Sequence, residues 1–97
     1  MTENAADDPP SREIMIINKR GLHARAAAKF VQTVERFQAT VMVSKDGHSV
    51  GGDSIMGLMM LAASPGTAIS VAATGAQAGA VLDELERLLA DRFGEDE

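Results

Sequence analysis

The sequence predicts a single α+β domain in which helices cover one face of a four-stranded antiparallel sheet. The chain has 97 residues, which is long enough for one hydrophobic core but not for two. Apolar residues alternate in some segments and recur every three or four residues in others, so the order of elements is βαββαβα. The apolar faces of the helices must pack against one face of the sheet, so we expect the other face to be exposed to water.

Periodicity defines the first strand and the first helix. A short apolar run at 13–17 predicts a buried strand, and polar residues before Gly21 end it. From His23 onward the apolar residues recur at helical spacing, which predicts an amphipathic helix. The expected core positions of this helix are Ala27, Phe30, Val31, Val34 and Phe37.

A hairpin is expected next. Residues 39–44 alternate between apolar and polar side chains, which predicts the second strand. Asp46-Gly47 is a strong signal for a tight turn, so the chain should return as a third strand at 48–50. The pair Gly51-Gly52 then ends that strand.

The segment 55–63 predicts a short helix, with Asp53 or Ser54 as its N-cap. The segment is apolar almost all round, and a two-layer domain can bury only one of its faces. The face expected to be buried carries Leu58, Leu61 and Ala62. The face expected to be exposed carries Ile55, Met56 and Met59.

The last strand and the last helix complete the order. Alternation over 69–73 predicts the fourth strand. The last helix should bury a stripe of Ala78, Val81, Leu82, Leu85, Leu88 and Leu89. On its other side Asp83 and Arg87 have the spacing of an ion pair. We expect the folded domain to span 12–93, with a disordered acidic tail at 1–11 and a second acidic tail at 94–97.

The composition argues against several classes of function. The chain contains no cysteine, so it forms no disulfide and has no thiolate nucleophile or cysteine-based zinc site. No apolar run approaches the length of about 20 residues that a membrane-spanning helix needs. The N-terminal segment lacks the basic flank and apolar centre of a signal peptide. We therefore expect a cytoplasmic protein that has no metal or other cofactor and does not associate with membranes.

The charge is unevenly distributed along the chain. The net charge is −5, yet seven of the nine basic residues and only two acids lie between Arg12 and Lys45. That half would suit a nucleic acid, but its aromatic residues, Phe30 and Phe37, lie at core spacing, so a base-stacking surface is missing. An anionic small group or an acidic protein surface is the better match.

One histidine has a position that suits phosphoryl chemistry. His23 lies where the first helix begins, although histidine is not a favoured N-cap residue. A phosphoryl group on its ring would face the unpaired N–H groups of the helix start, and the guanidinium of Arg25 could reach the same oxygens. No acid or second histidine lies in this stretch, which argues against a triad or a metal cluster. On this local argument alone, a surface histidine without function is an equally good interpretation.

Two motifs carry a resemblance to a known family. The segment Gly-Leu-His-Ala-Arg-Ala-Ala at 21–27, followed by Lys-Phe-Val at 29–31, resembles the active-site motif of HPr, the histidine-containing phosphocarrier of bacterial phosphotransferase systems. Ser-Ile-Met-Gly-Leu-Met at 54–59 resembles the segment around that family's regulatory serine. The likeness extends over about 12–92. The family fold is an open-faced β-sandwich, with four antiparallel strands and three helices in the order βαββαβα.

The resemblance implies a phosphoryl carrier rather than a self-sufficient enzyme. An Enzyme I, charged by phosphoenolpyruvate, would phosphorylate Nδ1 of His23, and the group would pass to an IIA-type acceptor. Arg25 would assist the transfer, and Ser54 would be the target of an HPr kinase/phosphorylase where one exists. The residues expected to contact partners are Arg20, Ala24, Lys29, Ile55, Met56 and Met59. We expect a monomer, because one surface must serve both partners in turn.

Some residues depart from the usual family pattern, and two other functions remain open. Ala26 replaces a common proline, and Arg20 stands where sugar-system members have a small polar residue. Asn18-Lys19, the segment 74–77 and the acidic C-terminal end resemble the nitrogen-related branch, NPr, which favours a regulatory role over sugar uptake. One alternative is a regulatory binding module that is never phosphorylated and acts through the exposed helix face. The other is a small nucleic-acid binder that uses the basic half.

Overall fold

The computed structural model describes residues 9–95 and has the predicted α+β architecture. Four antiparallel strands form one sheet in the order β1-β4-β2-β3. The helices pack on one face of the sheet, and the other face carries the exposed side chains of the strands. The elements are β1 (Ser11–Met15), α1 (Ala24–Glu35), β2 (Thr40–Lys45), β3 (His48–Gly51), α2 (Ile55–Met60), β4 (Ala68–Thr74), α3 (Ala78–Ala90) and a final turn (Arg92–Gly94).

The hairpin between β2 and β3 confirms the predicted turn. Asp46 and Gly47 have φ angles of 52° and 84°, and positive φ at both positions matches the right-handed twist of a hairpin. Lys45 pairs with His48 across this turn. The turn fixes the register, so Val41 and Val43 of β2 are buried on the helical side, whereas Met42 between them is exposed on the other face.

Most side chains of the core are aliphatic, and its buried aromatic residues are Phe30 and Phe93. In β4, Ile69, Val71 and Ala73 are buried and the residues between them are not, which is the alternation of a strand with one wet face. The helices contribute the largest buried side chains of the opposite layer. These are Phe30 of α1, Leu58 of α2, and Val81, Leu82, Leu85 and Leu89 of α3.

The first strand and the first helix differ from their predicted limits. β1 begins at Ser11, inside the segment expected to be a tail, because its residues pair with β4 from that point. It ends at Met15, and buried Ile16 continues the contact by exchanging hydrogen bonds with Thr67 and Gly66. α1 ends at Glu35, so Phe37 lies beyond the helix and is only partly buried.

Several side-chain predictions were wrong. The run at 13–17 was expected to be buried, but Met15 and Ile17 are 49% and 42% exposed. Ala62 is exposed rather than buried, because its φ of 53° ends the helical path after Leu61 and turns Ala63 inward instead. Arg87 pairs with Glu84 rather than with Asp83, at an Nη1–Oε1 distance of 2.5 Å. Asp83 instead pairs with Arg12 of β1, at an Nη1–Oδ1 distance of 2.6 Å.

Most of the predicted acidic tails, 1–8 and 96–97, fall outside the described residues. Within 9–95, no helix combines the length and the apolar character that crossing a membrane requires.

Candidate functional site

The loop between β1 and α1 places His23 at the start of α1. Gly21 has a φ of 67°, and its N–H donates to the carbonyl oxygen of Asn18 at 3.2 Å. The next residue, Leu22, is buried, and its N–H donates to the carbonyl oxygen of Ala63 at 2.9 Å. This bond joins the loop to the segment after α2. The N–H of His23 donates back to the carbonyl oxygen of Gly21 at 2.9 Å, which closes a tight turn before the helix.

His23 is the N-cap residue of α1. Its backbone is extended, with φ −82° and ψ −178°, and its carbonyl oxygen accepts the first helical hydrogen bond from Ala27. Its ring atom Nδ1 accepts a long hydrogen bond, 3.3 Å, from the backbone N–H of Arg25. The imidazole therefore takes the place that a serine or aspartate oxygen usually occupies at a helix start.

The other ring nitrogen of His23 contacts a carboxylate that is distant in sequence. Nε2 lies 2.5 Å from Oε2 of Glu95, and each side chain is 18% exposed. An ionised carboxylate can only accept, so Nε2 carries the proton in this contact. Nδ1, which accepts from Arg25, is then the nitrogen with a free electron pair.

The final turn of the chain positions Glu95. Arg92, Phe93 and Gly94 all have positive φ, between 55° and 78°, so the backbone reverses its direction after α3. The Phe93 side chain is 1% exposed and anchors the turn in the core. Its carbonyl oxygen accepts a hydrogen bond from Nζ of Lys29 at 2.6 Å. Packing and this bond together hold a left-handed backbone that would otherwise be unfavourable for non-glycine residues.

Asn18 connects the loop to the same carboxylate. Its side chain is fully buried, and Nδ2 donates to the carbonyl oxygen of Gly21 at 2.8 Å and to Oε1 of Glu95 at 3.1 Å. Its Oδ1 has no hydrogen-bond partner within residues 9–95. Both oxygens of Glu95 are therefore engaged, one by Asn18 and one by His23.

These contacts keep Glu95 ionised. Burial is the largest single influence and raises the pKa of Glu95, but the hydrogen bonds from His23 and Asn18 and the positive charge of Arg20 act against it. Together they outweigh burial, so the pKa of Glu95 is lowered. The site thus holds a negative charge beside Nε2 at neutral pH.

The cations predicted near His23 have different roles in the structure. Arg20 and Arg25 are exposed, and among the described residues the Arg25 guanidinium has no hydrogen-bond or ion-pair partner. Arg25 is therefore available to an anion. Ala24 is also exposed. Lys29 is only partly exposed, and its ammonium is used internally on the carbonyl oxygen of Phe93.

The second motif forms a cap and an apolar surface. Ser54 is the N-cap of α2, and its Oγ accepts a hydrogen bond from the N–H of Gly57 at 2.9 Å. The exposed apolar side chains of α2, which we call the α2 patch, are Ile55, Met56, Met59 and Met60. Exposure of the first three was predicted, whereas Met60, at 76% exposed, was missed. α2 packs against α1, so the patch and the start of α1 belong to neighbouring elements.

Sequence reasoning missed the acid at the site. It considered only residues close to His23 along the chain and found none, yet the fold brings Glu95 to its ring from 72 positions away. Asn18 was noted only as part of a family likeness, and its buried contact with Glu95 was not foreseen. Within the described residues, no group of three or more potential ligands has the arrangement of a metal site.

Comparisons with known proteins match most of the chain to one family. The family description "PTS HPr component phosphorylation site" fits residues 10–91. The chain is 49% identical to phosphocarrier protein HPr of Neisseria meningitidis over 86 residues, which are 89% of this chain and 97% of that protein. This chain belongs to the HPr family. Family membership implies the partners of the phosphotransferase system, such as Enzyme I and IIA proteins.

Other HPr proteins agree in sequence and in fold. HPr of Pseudomonas aeruginosa is 48% identical over 89 residues, which are 91% of this chain and 99% of that protein. The crystal structure of HPr-C-His from Thermoanaerobacter tengcongensis superposes with a TM-score of 0.86 at 40% identity. That match covers 91% of this chain and 99% of the crystallised one. The HPr fold that the resemblance implied is therefore confirmed.

Proposed function

We propose that this HPr-family chain accepts a phosphoryl group from an Enzyme I-type donor on Nδ1 of His23 and passes it to an IIA-type acceptor. The observation that carries the proposal is the position of His23, which caps α1 with Nδ1 3.3 Å from the backbone nitrogen of Arg25. A neutral nitrogen with a free electron pair is what a phosphoryl acceptor needs.

The helix start suits the product as well as the acceptor. The first N–H groups of a helix have no helical partner, and the helix dipole adds positive potential there. A phosphoryl group on Nδ1 would lie beside these donors, which favour anions. The Arg25 side chain, which has no partner within the described residues, would add a charge-assisted bond to the phosphoryl oxygens.

The α2 patch supports a transient docking role on the same side of the molecule. Methionine side chains adapt to differently shaped partners, which suits a carrier that binds a donor and an acceptor in turn. The basic residues Arg20 and Arg25 are exposed and would attract acidic partner surfaces. We expect the chain to work as a monomer, because a dimer formed through the patch would cover the docking surface.

The proposal is tested by incubating the chain with phosphoenolpyruvate and a bacterial Enzyme I. We expect a mass gain of one phosphoryl group that is lost in acid and kept in base, as for phosphohistidine. His23→Ala should fold and gain nothing, whereas the matched control His48→Ala, changed at an exposed strand position, should be phosphorylated like the wild type. Uptake by His23→Ala would contradict the proposal.

The acceptor is identified in a second step. The phosphorylated chain is offered separately to a nitrogen-related and to a sugar-specific IIA protein, and the faster transfer assigns the branch. The likeness to the nitrogen-related branch favours the first acceptor. Two residues on which that likeness depends form hydrogen bonds within the fold. Asn18 donates to Glu95, and Gln77 accepts from the backbone N–H of Gln38.

A binding module that is never phosphorylated is the second candidate, and the exposed α2 patch favours it. Met56 is 69% exposed, and apolar side chains grouped on one surface commonly mark a protein interaction site. Binding of a phosphotransferase-system protein without any mass gain in the Enzyme I assay would select this function over the carrier.

A further inference from the structure

We propose that Glu95 is a positioning residue for phosphoryl transfer at His23. Its carboxylate accepts the Nε2–H of the ring, directs Nδ1 toward the incoming phosphoryl group, and stabilises the positive charge that the ring gains when Nδ1 bonds to phosphorus. This inference rests on the proposed carrier function and adds to it a residue outside both motifs.

The geometry fixes which nitrogen reacts. Glu95 Oε2 and the Arg25 N–H lie on the two different nitrogens of the His23 ring, 2.5 Å from Nε2 and 3.3 Å from Nδ1. Since a carboxylate accepts and a backbone amide donates, the two contacts select the same tautomer. The stronger contact is on Nε2, so Nδ1 is the nitrogen that a donor can approach.

Glu95 is itself held in place, which a positioning role requires. Asn18 Nδ2 donates to the second carboxylate oxygen, Oε1, at 3.1 Å from a fully buried side chain. The turn before Glu95 is fixed by buried Phe93 and by the Lys29 ammonium on its carbonyl oxygen. The ring is thereby connected to the core through the carboxylate. Carboxylates that accept a ring N–H orient metal-binding and catalytic histidines of other proteins in the same way.

The charges around Glu95 suit the transfer step. The positive charge of Arg20, on the β1–α1 loop, favours the ionised form of the Glu95 carboxylate. The Lys29 ammonium of α1 donates to the carbonyl oxygen of Phe93, two residues before Glu95. In the transfer, the electron pair of Nδ1 forms the new bond to phosphorus. The bond from phosphorus to the donor breaks and leaves its electron pair on the donor atom. The Nε2 proton stays between His23 and Glu95, where the carboxylate balances the charge that the ring has gained.

The Arg25 backbone also takes part in this arrangement. Once the Nδ1 electron pair is bonded to phosphorus, the Arg25 N–H can no longer donate to it and is free to donate to a phosphoryl oxygen. Glu95 lies at the opposite nitrogen, so its negative charge does not occupy the place of the phosphoryl group.

The test compares Glu95→Gln and Glu95→Ala with the wild type. Glu13→Gln is the matched control, because it removes the same charge from an exposed position on the open face of the sheet. The first readout is the ring Nε2 proton in nuclear magnetic resonance spectra of the unphosphorylated chain, in alkaline buffer where histidine rings are neutral. We expect a downfield, slowly exchanging signal in the wild type and the control and its loss in Glu95→Ala. In Glu95→Gln the amide oxygen is a weaker, uncharged acceptor, so the signal should move upfield.

The second readout is the initial rate of phosphorylation by Enzyme I. We expect both Glu95 variants to be about tenfold slower than the control, a change of about 1.4 kcal/mol in activation free energy. A lost ring signal with an unchanged or faster rate would overturn the inference, because the carboxylate would then hold the ring without assisting transfer. A ring signal in Glu95→Ala equal to that of the wild type would overturn it as well. Failure of the wild type itself to accept phosphate would refute the carrier function instead, and the ring signal needs no partner, so the two failures are distinguishable.

Discussion

Gly21 is the residue at which the fold and the site depend on the same backbone geometry. Its φ is +67°, and a Cβ at this position would lie 2.6 Å from the carbonyl oxygen of Ala63 and 3.2 Å from Cα of Ser64. Both atoms belong to the backbone, so no side-chain rotation can relieve the contact. Gly21→Ala should therefore carry a conformational cost of roughly 1–2 kcal/mol for positive φ and a further steric cost of roughly 1–3 kcal/mol.

Gly47→Ala separates these two costs. Gly47 also has positive φ, 84°, but a Cβ there would have no atom within 4 Å. Gly47→Ala should lower the unfolding free energy only by the conformational cost, roughly 1–2 kcal/mol. Gly21→Ala should lower it by both costs, roughly 2–5 kcal/mol in total. Urea unfolding at equal m-values measures the difference in stability. Equal urea midpoints for the two variants would show that the Ala63 carbonyl moves away from the new Cβ at no cost, and would refute the steric argument.

The other predictions concern residues around the site. Arg25→Ala should slow phosphorylation strongly while changing the unfolding free energy by less than about 0.5 kcal/mol, because the side chain is exposed; an unchanged rate would remove Arg25 from the transfer. Ser54→Ala should lower the unfolding free energy by about 1 kcal/mol through loss of the cap. Ser54→Asp should keep the cap but slow phosphorylation of His23, because its charge borders the α2 patch. Equal phosphorylation rates for the two variants would show that Ser54 acts only as a cap. Met59→Glu should weaken Enzyme I binding in calorimetry without lowering the melting temperature far, because Met59 is 40% exposed. The pKa of Glu95 is lowered in the folded state, so the ionised carboxylate stabilises the fold. This stabilisation is complete above the ordinary glutamate pKa of about 4.3 and is lost as the pH falls through the lower pKa of the folded state. The unfolding free energies of wild type and Glu95→Gln, measured over this pH range, should therefore converge in acid.

Local patterns in the sequence were sufficient to predict the elements and their order. The alternation in β4 and the Asp46-Gly47 turn each depend on neighbours along the chain, and the structure confirms both. Ser54 was one of two proposed caps for α2, and its hydroxyl does accept the Gly57 N–H. Such features are predictable because a strand face, a tight turn and a helix cap are each determined within a few residues.

Predictions failed where the folded structure departs from the pattern of an isolated element. The spacing of Asp83 and Arg87 suits an ion pair, but Arg12 of β1 competes for Asp83 and no local pattern reveals it. Ala62 has helical spacing from Leu58, yet a left-handed residue there ends the helix first. Periodicity describes what an isolated element prefers, and it does not include the neighbours that an element acquires on folding.

The two nitrogens of the His23 ring also differ in this respect, since one has a contact that is local in sequence and the other a contact that is distant. Its Nδ1 side is built by the helix start, where Arg25 is two residues away, so a motif is enough to predict it. Its Nε2 side is built by Glu95, which reaches the ring only because Phe93 is buried and the backbone turns with positive φ. In the proposed transfer, the first side would receive the phosphoryl group and the second would support the ring that carries it. Substitutions at Arg25 and at Glu95 should consequently slow transfer for different physical reasons, with only the latter changing the Nε2 proton signal of the resting protein.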